Sequence, residues 1–431
     1  MSRADHVVLV SIDGLRPEHA QDERWPAPTL QQLAWEGAQA DAVRSVFPSL
    51  TYPAHAIMVT GALPARHGIY HNEPFDPAGQ TGRWHWEAAA LRVPALWDVL
   101  RAEGRTSAAV SWPVSVGAAI DWNLPDIWPL DPRTDPMVPI REAARPGGLF
   151  EEVEREACGR LCGENFSIHT LRREDRVGAI GAYLFTRYRP ALLLLHVIGT
   201  DHIQHEYGRA NPMTRRAVGA ADRAVGQVLE VVEQLGLRGR TAFIITGDHG
   251  SLDTHTEIRP NAWLAEAGLL EDRPDRGRWR ACFHGSGGSV FLRLRARADR
   301  AALTRVRELL AARAAGERRL FRVIGRRRLQ SLGADPEAHL ALAAAPGVAF
   351  STIAAAPALG PATGAGHGYL PGIPEMHTAL VASGAGIRRG VTAATLRIEN
   401  VAPLVAALLG LPFSPADGVL LPGFLQPSAA A

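Results

Sequence analysis

The sequence predicts an α/β protein built on a doubly wound, mostly parallel sheet. Three observations carry that prediction: apolar runs at 6–12, 191–197 and 241–246, helical segments between them, and Asp or His just after each run. With 431 residues and 46% hydrophobic content the chain can bury a large core, which excludes disorder. Residues 1–431 are read as one domain with inserted cap elements.

Taken in order, the run 6–12 is broken by Asp13-Gly14, as a buried strand ending in a turn would be. A helical stretch follows near 29–37. The next helix, about 52–60, has Pro53 in its first turn, where a missing N–H is harmless. Residues 94–104 form an amphipathic helix and 106–111 a short strand. Within 191–197, Leu192-Leu193-Leu194-Leu195 is apolar on both faces, as an interior parallel strand requires. A helix over 213–236 gathers Val225, Val228, Leu229 and Val232 on one side, and 241–246 is another buried strand. Two segments break the alternation. Residues 113–176 carry Pro-rich loops and then charged helices; residues 289–350 read as strand, helix and two short strands, a small α+β insertion. Both are expected to lie over the sheet and to set specificity. The sheet resumes at 379–383, and 398–409 supplies the last helix.

Net charge is only +2, and all 46 basic residues are arginine, scattered among 44 acids. No single basic face is left for nucleic acid. The run Arg326-Arg327-Arg328 is read as a solvated helix face. Cys158, Cys162 and Cys282 are an odd number without a C-x-x-C pair, so neither a disulfide framework nor a zinc knuckle is expected. No window reaches the roughly 18 apolar residues of a membrane span. Val7-Val8-Leu9-Val10 is too short for a signal peptide. These features together predict a cytoplasmic protein whose partner is a small molecule.

Ligands of open α/β sheets bind beyond the carboxyl ends of the strands. The residues found there are Asp13, then Asp201 and His205, then Asp248 and His249, and His367 joins them from a glycine-rich loop. Asp and His brought together from several loops suit zinc or a similar borderline cation. Each piece has a bland reading as well. Asp13-Gly14 is a turn signal, Asp201 and His205 make an i,i+4 surface pair, and a loop histidine is commonly solvated. Four clusters of one chemistry at independent positions outweigh these readings.

The segment Phe47-Pro48-Ser49-Leu50-Thr51-Tyr52-Pro53-Ala54-His55, followed by His67-Gly68-Ile69-Tyr70-His71-Asn72, resembles the nucleophile region of the nucleotide pyrophosphatase/phosphodiesterases of the alkaline phosphatase superfamily. The resemblance runs from Val7 to about Gly418. It implies an alkaline phosphatase-like fold and a hydrolase of phosphodiester or pyrophosphate bonds that passes through a covalent phosphothreonine. By motif it implies two zinc ions, with other divalent metals open: Asp13, Thr51, Asp248 and His249 would hold one, and Asp201, His205 and His367 the other. Thr51 would be the nucleophile, and Asn72 would donate to a phosphoryl oxygen. Coordination to zinc would activate a hydroxyl that is a poor nucleophile at neutral pH. The helix opened by Thr51 would turn its N-terminus toward the phosphate. Thr51 also suits a helix N-cap, with Ser49 as a competitor for that role.

Other readings are weaker. A sulfatase needs Cys or Ser in a C/S-x-P-x-R setting, whereas this chain reads Thr51-Tyr52-Pro53-Ala54-His55. Phosphonoacetate hydrolases resemble the same pattern, but that activity is associated with substrate-binding lysines, which the chain lacks; a hydrolase of another phosphonate is the second reading. A non-catalytic, metal-stabilised binding protein would have no use for Thr51. Gly285-Ser286-Gly287-Gly288 lacks a Walker lysine and reads as a loop near the site or a turn into the next strand. Trp84, Trp86, Trp112, Trp122 and Trp128 are candidates for stacking on an organic group or for packing. His55, His67, His71, His202, His255, His284 and His377 receive no ligand role. Arg66 lies six residues before Asn72, and its place relative to the pocket bears on substrate charge.

Overall fold

The computed structural model describes residues 3–421 and 423–427. Strand β1 (His6–Ile12) lies in the middle of the main sheet, hydrogen-bonded in parallel to β5 (Leu192–Val197) on one side and β6 (Thr241–Thr246) on the other. Beyond β5 come β3 (Ser107–Val110) and β4 (Trp122–Leu124), also parallel. Beyond β6 the strand Thr378–Gly384 runs antiparallel and pairs in turn with β2 (Ala38–Arg44). Short strands Val391–Ala393 and Leu396–Arg397 close that edge against β2.

Alternation along β1 explains the layering. Val7 and Leu9 pack on one face with Ile57, Met58, Leu404 and Val405; Val8, Val10 and Ile12 pack on the other with Val177, Leu184, Val225 and Val228. Both faces of the sheet are therefore covered, as a parallel sheet requires. Burying each such side chain stabilises the fold by about 1.5–3 kcal/mol, so a charge at Leu194, which is wholly buried in the first cluster, would be among the most damaging single changes.

Several expectations change in detail. Strand β2 was absent from the sequence reading because Ala38-Gln39-Ala40-Asp41-Ala42-Val43-Arg44 offers one large apolar residue. Its small side chains are held by partners on both sides instead. The segment 113–176 does not merely lie over the sheet, since β4 extends the sheet edge and the helix Arg172–Tyr188 begins inside it. The α+β subdomain starts earlier than 289, with Ala281–Ser286 forming a hairpin with Ser289–Leu294 in a four-stranded antiparallel sheet completed by Phe321–Gly325 and Leu340–Ala344. Arg326, Arg327 and Arg328 are exposed at the start of the helix Arg326–Ser331. All three cysteines are unpaired. Among the described residues no helix is long and apolar enough to cross a membrane.

Candidate active site

Four chain segments bring their ends to one place. β1 ends at Ile12 and delivers Asp13. β5 ends at Val197, and the helix Gly199–Tyr207 that follows carries Asp201 and His205 one turn apart. β6 ends at Thr246 and delivers Asp248 and His249. The strand Thr378–Gly384 runs the opposite way, so it is the loop before it, carrying His367, that reaches the carboxyl ends of the others.

Gly14 shows why the turn after β1 needs glycine. Its φ is +66°, a left-handed conformation, and a Cβ there would meet Gln204 Nε2 at 2.9 Å. Its N–H donates to Asp248 Oδ1 at 3.1 Å, so the Asp13-Gly14 turn also orients the third carboxylate.

The side chains converge closely. His249 Nε2 lies 3.2 Å from Asp248 Oδ2 and 3.5 Å from Asp13 Oδ1. His205 Nε2 lies 3.2 Å from Asp201 Oδ2, and His367 Nε2 lies 4.0 Å from Asp201 Oδ1. The His249 and His367 rings stack with centroids 3.7 Å apart. Donor atoms within 4.8 Å of one another form two groups: Asp201, His205 and His367, and Asp13, Asp201 and His249. Asp201 thus belongs to both groups, which the motif-based partition did not anticipate. Asp248 reaches the second group through His249.

Both buried imidazoles are aimed from behind. His367 Nδ1 donates to the Ser49 carbonyl at 3.0 Å and His249 Nδ1 to the Gly250 carbonyl at 3.0 Å, which leaves each Nε2 facing the carboxylates. The hairpin turn at Gly287-Gly288 grips the same loop. Gly288 N–H donates to the His367 carbonyl at 2.7 Å, and a Cβ at Gly287 would lie 2.3 Å from that oxygen.

Electrostatics favour a cation at this point. Asp13 Oδ1, Asp201 Oδ1, Asp248 Oδ2 and His249 Nε2 are buried without a hydrogen-bond partner; each such group costs about 1–3 kcal/mol if left unsatisfied. Burial drives Asp13 well above the usual carboxylate range, and the carboxylates of Asp248 and Asp201 add to the effect. Burial raises Asp248 too. It acts likewise on Asp201, but the imidazoles of His205 and His367 outweigh it and hold that carboxyl below its ordinary range. Burial depresses His249 to about 4 and His367 to about 3, so both are neutral, the form that ligates. Crowded carboxylates, neutral imidazoles and orphaned donor atoms fit a divalent metal.

Thr51 opens α3 (Thr51–Thr60), whose N-cap is Leu50 and has no side-chain cap. Neither Thr51 nor Ser49 serves as a cap; the Ser49 hydroxyl donates to the Tyr369 carbonyl at 2.9 Å. Thr51 and Asn72 line, with Asp13, Asp201, His205 and His367, a cavity of about 540 Å³. The Asn72 carbonyl oxygen accepts the N–H of Tyr52 at 3.0 Å.

Residues to which the sequence assigns no ligand role complete the surroundings. His196, the next-to-last residue of strand β5, lies with Nε2 3.2 Å from Asp13 Oδ2 and Nδ1 3.1 Å from the Ser111 carbonyl. His55 Nδ1 donates to the Thr51 carbonyl at 2.8 Å. Tyr52 donates through its hydroxyl to Asp126 at 2.9 Å. Asp126, Trp128, Met137, Phe166 and Arg173 show that the segment 113–176 forms one wall of the cavity, whereas no described residue of 289–350 lines it. The tryptophans divide by role. Trp84 and Trp128 line the cavity in edge contact at 4.9 Å, Trp86 packs behind Trp128, Trp112 is buried against His55, and Trp122 stacks on Tyr188. Arg66 points away, 59% exposed and paired with Asp417 at 3.2 Å.

Known proteins share this architecture. Human ectonucleotide pyrophosphatase/phosphodiesterase 5 superposes with a TM-score of 0.70 at 20% identity over 96% of this chain and 97% of that one. The murine counterpart, solved as an inactive variant in complex with AMP, gives 0.69. In sequence, an uncharacterized pyrophosphatase/phosphodiesterase of Schizosaccharomyces pombe is 26% identical over 253 residues, 58% of this chain and 45% of the relative. Human family member 7 is 26% identical over 57% of this chain and 47% of its own length. The matched part therefore spans less than half of these curated relatives. The family model described as Type I phosphodiesterase / nucleotide pyrophosphatase matches residues 7–335, from β1 into the α+β subdomain. The chain belongs to the type I phosphodiesterase / nucleotide pyrophosphatase family.

Proposed function

We propose that the protein hydrolyses phosphodiester or pyrophosphate bonds of small molecules with Thr51 as nucleophile. The observation that carries this reading is the placement of Thr51 at the N-terminus of α3, in the wall of the same cavity as the Asp13, Asp201, His205 and His367 side chains. Asp13, Asp248 and His249, with Thr51, would hold one divalent metal, zinc by its donor chemistry, and Asp201, His205 and His367 a second, with Asp201 also within reach of the first. Bound there, the metals would supply Lewis-acid stabilisation of charge and lower the hydroxyl pKa.

The chain's own groups do the rest. Thr51 Oγ1 attacks phosphorus as its proton leaves, the bond from phosphorus to the leaving oxygen breaks, and a threonine phosphodiester or monoester is formed. Water then cleaves the Thr51–phosphorus ester and restores the hydroxyl. At the α3 N-terminus Tyr52 N–H is taken by Asn72, Pro53 has none and Ala54 N–H bonds the Leu50 carbonyl, so the Thr51 N–H is the helix donor left for a phosphoryl oxygen. Asn72 has its carbonyl oxygen occupied by Tyr52 N–H, so its amide hydrogens are left for a phosphoryl oxygen.

The test is Thr51→Ala. The variant keeps Asp13, Asp248 and His249, so fold and metal content stay near wild type while turnover of bis-p-nitrophenyl phosphate falls by at least about 10³-fold. Near-wild-type turnover would instead mean direct attack by water and would exclude the phosphothreonine.

A further inference from the structure

Arg173 is a buried cation that the proposed chemistry does not use. It is 4% exposed, and it is the one arginine among the described residues lining the active-site cavity. Its Nη1 has no hydrogen-bond partner. Its one ion pair among the described residues is a loose one, to Glu174 Oε2 at 4.0 Å. Phe166 lies under the guanidinium at 5.2 Å from the ring centroid, a contact that satisfies none of its N–H donors.

A purely structural role accounts poorly for this placement. A guanidinium is a fork of N–H donors, and leaving its buried Nη1 without a partner is costly. Arg173 also sits in the first turn of the 17-residue helix Arg172–Tyr188, where the helix dipole disfavours a cation and favours an anion. Each of the two neighbouring carboxylates spends one oxygen elsewhere, and Glu174 Oε2 stays beyond hydrogen-bond reach of Arg173 Nη1 with no partner of its own. Glu174 Oε1 accepts the N–H of Gly199 at 2.8 Å, and Asp126 accepts the Tyr52 hydroxyl at 2.9 Å. Burial pushes both carboxyls up, which weakens their competition for the guanidinium.

We infer that Arg173 forms a subsite for a carboxylate carried on one organic substituent of the substrate, distant from the phosphorus attacked by Thr51. A carboxylate matches the planar fork in bidentate fashion. It also brings a single negative charge past Asp126 and Glu174, where a phosphate dianion would meet more repulsion. The apolar part of the cavity wall, which includes Trp84, Trp128, Met137 and Phe166, suits a hydrocarbon linker.

This inference rests on the phosphodiesterase reading, and the experiment separates the two. The substrates are p-nitrophenyl ω-carboxyalkyl phosphates of graded chain length, each paired with the p-nitrophenyl alkyl phosphate of equal length, and an ω-phosphonoalkyl series. If the neutral alkyl esters are not hydrolysed, the diesterase reading fails. Given turnover, wild type is expected to favour the carboxylate over its neutral partner in kcat/KM by about tenfold or more at the best length. Arg173→Gln erases that ratio and Arg173→Lys keeps part of it. An Arg173→Gln variant that loses activity equally on both members of a pair, leaving the ratio unchanged, would assign Arg173 a structural role and overturn the subsite. Absence of a carboxylate advantage at every length, or a stronger preference for the phosphonate series, would overturn it as well.

Discussion

The side-chain carbonyl of Asn72 accepts the backbone N–H of Tyr52 at 3.0 Å, tying the loop after His71 to the first turn of α3. One of the orphan donors of that helix is thereby satisfied, and the orientation of the amide is fixed by the bond.

Two Asn72 variants separate these roles. Asn72→Asp keeps an acceptor for Tyr52 but loses the donor and adds a like charge facing the phosphate, so the melting temperature holds while kcat/KM for a diester falls by about 10²–10³-fold. Asn72→Ala loses both functions and should show a lower melting temperature in addition. Equal melting temperatures for the two variants would mean that the Tyr52 bond contributes nothing to α3.

Asp201 stands between the two donor groups, whereas His205 belongs to one of them and sits at the rim, its side chain 44% exposed. Metal analysis should therefore distinguish the two residues. Wild type reconstituted with zinc is expected to hold about two ions per chain, His205→Ala about one, and Asp201→Ala less than His205→Ala. Equal losses in the two variants would show that Asp201 serves a single site.

Much of this centre was legible in the sequence because Asp13, Asp201 and Asp248 follow strands too apolar to be anything but buried. The position of a polar group after such a run is itself the signal. His196 was hidden inside one of those runs, where a single polar residue among leucines does not stand out, although it falls at the carboxyl end beside Asp13. Arg173 was masked by its neighbours, since Arg172-Arg173-Glu174-Asp175 reads as a solvated face. Its phase was informative nonetheless: Arg173, Val177, Ile180 and Leu184 are all buried along one side of the helix. Strand β2 gave no pattern because its burial comes from close approach of small residues between two partners.

Acidification should destabilise the fold through its buried histidines. His67 is fully buried, its Nδ1 accepts the N–H of Ile69 at 3.0 Å, and burial lowers it to about 3. The unfolded chain has the ordinary value near 6.5 and so binds more protons than the fold below it. The contribution is therefore complete above about pH 6.5 and is lost as pH falls toward about 3. His55, lowered to about 4 by burial, acts in the same direction. Melting temperatures measured from about pH 7 to about pH 4.5 should fall, and His67→Asn, which retains an acceptor without a titrating group, should fall less steeply. Parallel slopes would remove His67 from the account.

Substrate charge gives the last expectation: diesters should be hydrolysed faster than monoesters. A monoester dianion carries an additional charge on its non-bridging oxygens, and rapid turnover of it calls for a cation aimed there. Asn72 offers only a neutral amide. Arg66 is engaged outside the cavity by Asp417, and the cavity's arginine, Arg173, belongs to the wall formed by Asp126, Trp128 and Phe166. A diester, by contrast, brings a second substituent that can bury apolar surface against Trp84 and Trp128, which a monoester cannot do. On one preparation, kcat/KM for bis-p-nitrophenyl phosphate should exceed that for p-nitrophenyl phosphate by about tenfold or more. The reverse preference would place the Arg173 guanidinium on the transferred phosphoryl group, and Arg173→Gln would then depress monoester turnover more than diester turnover.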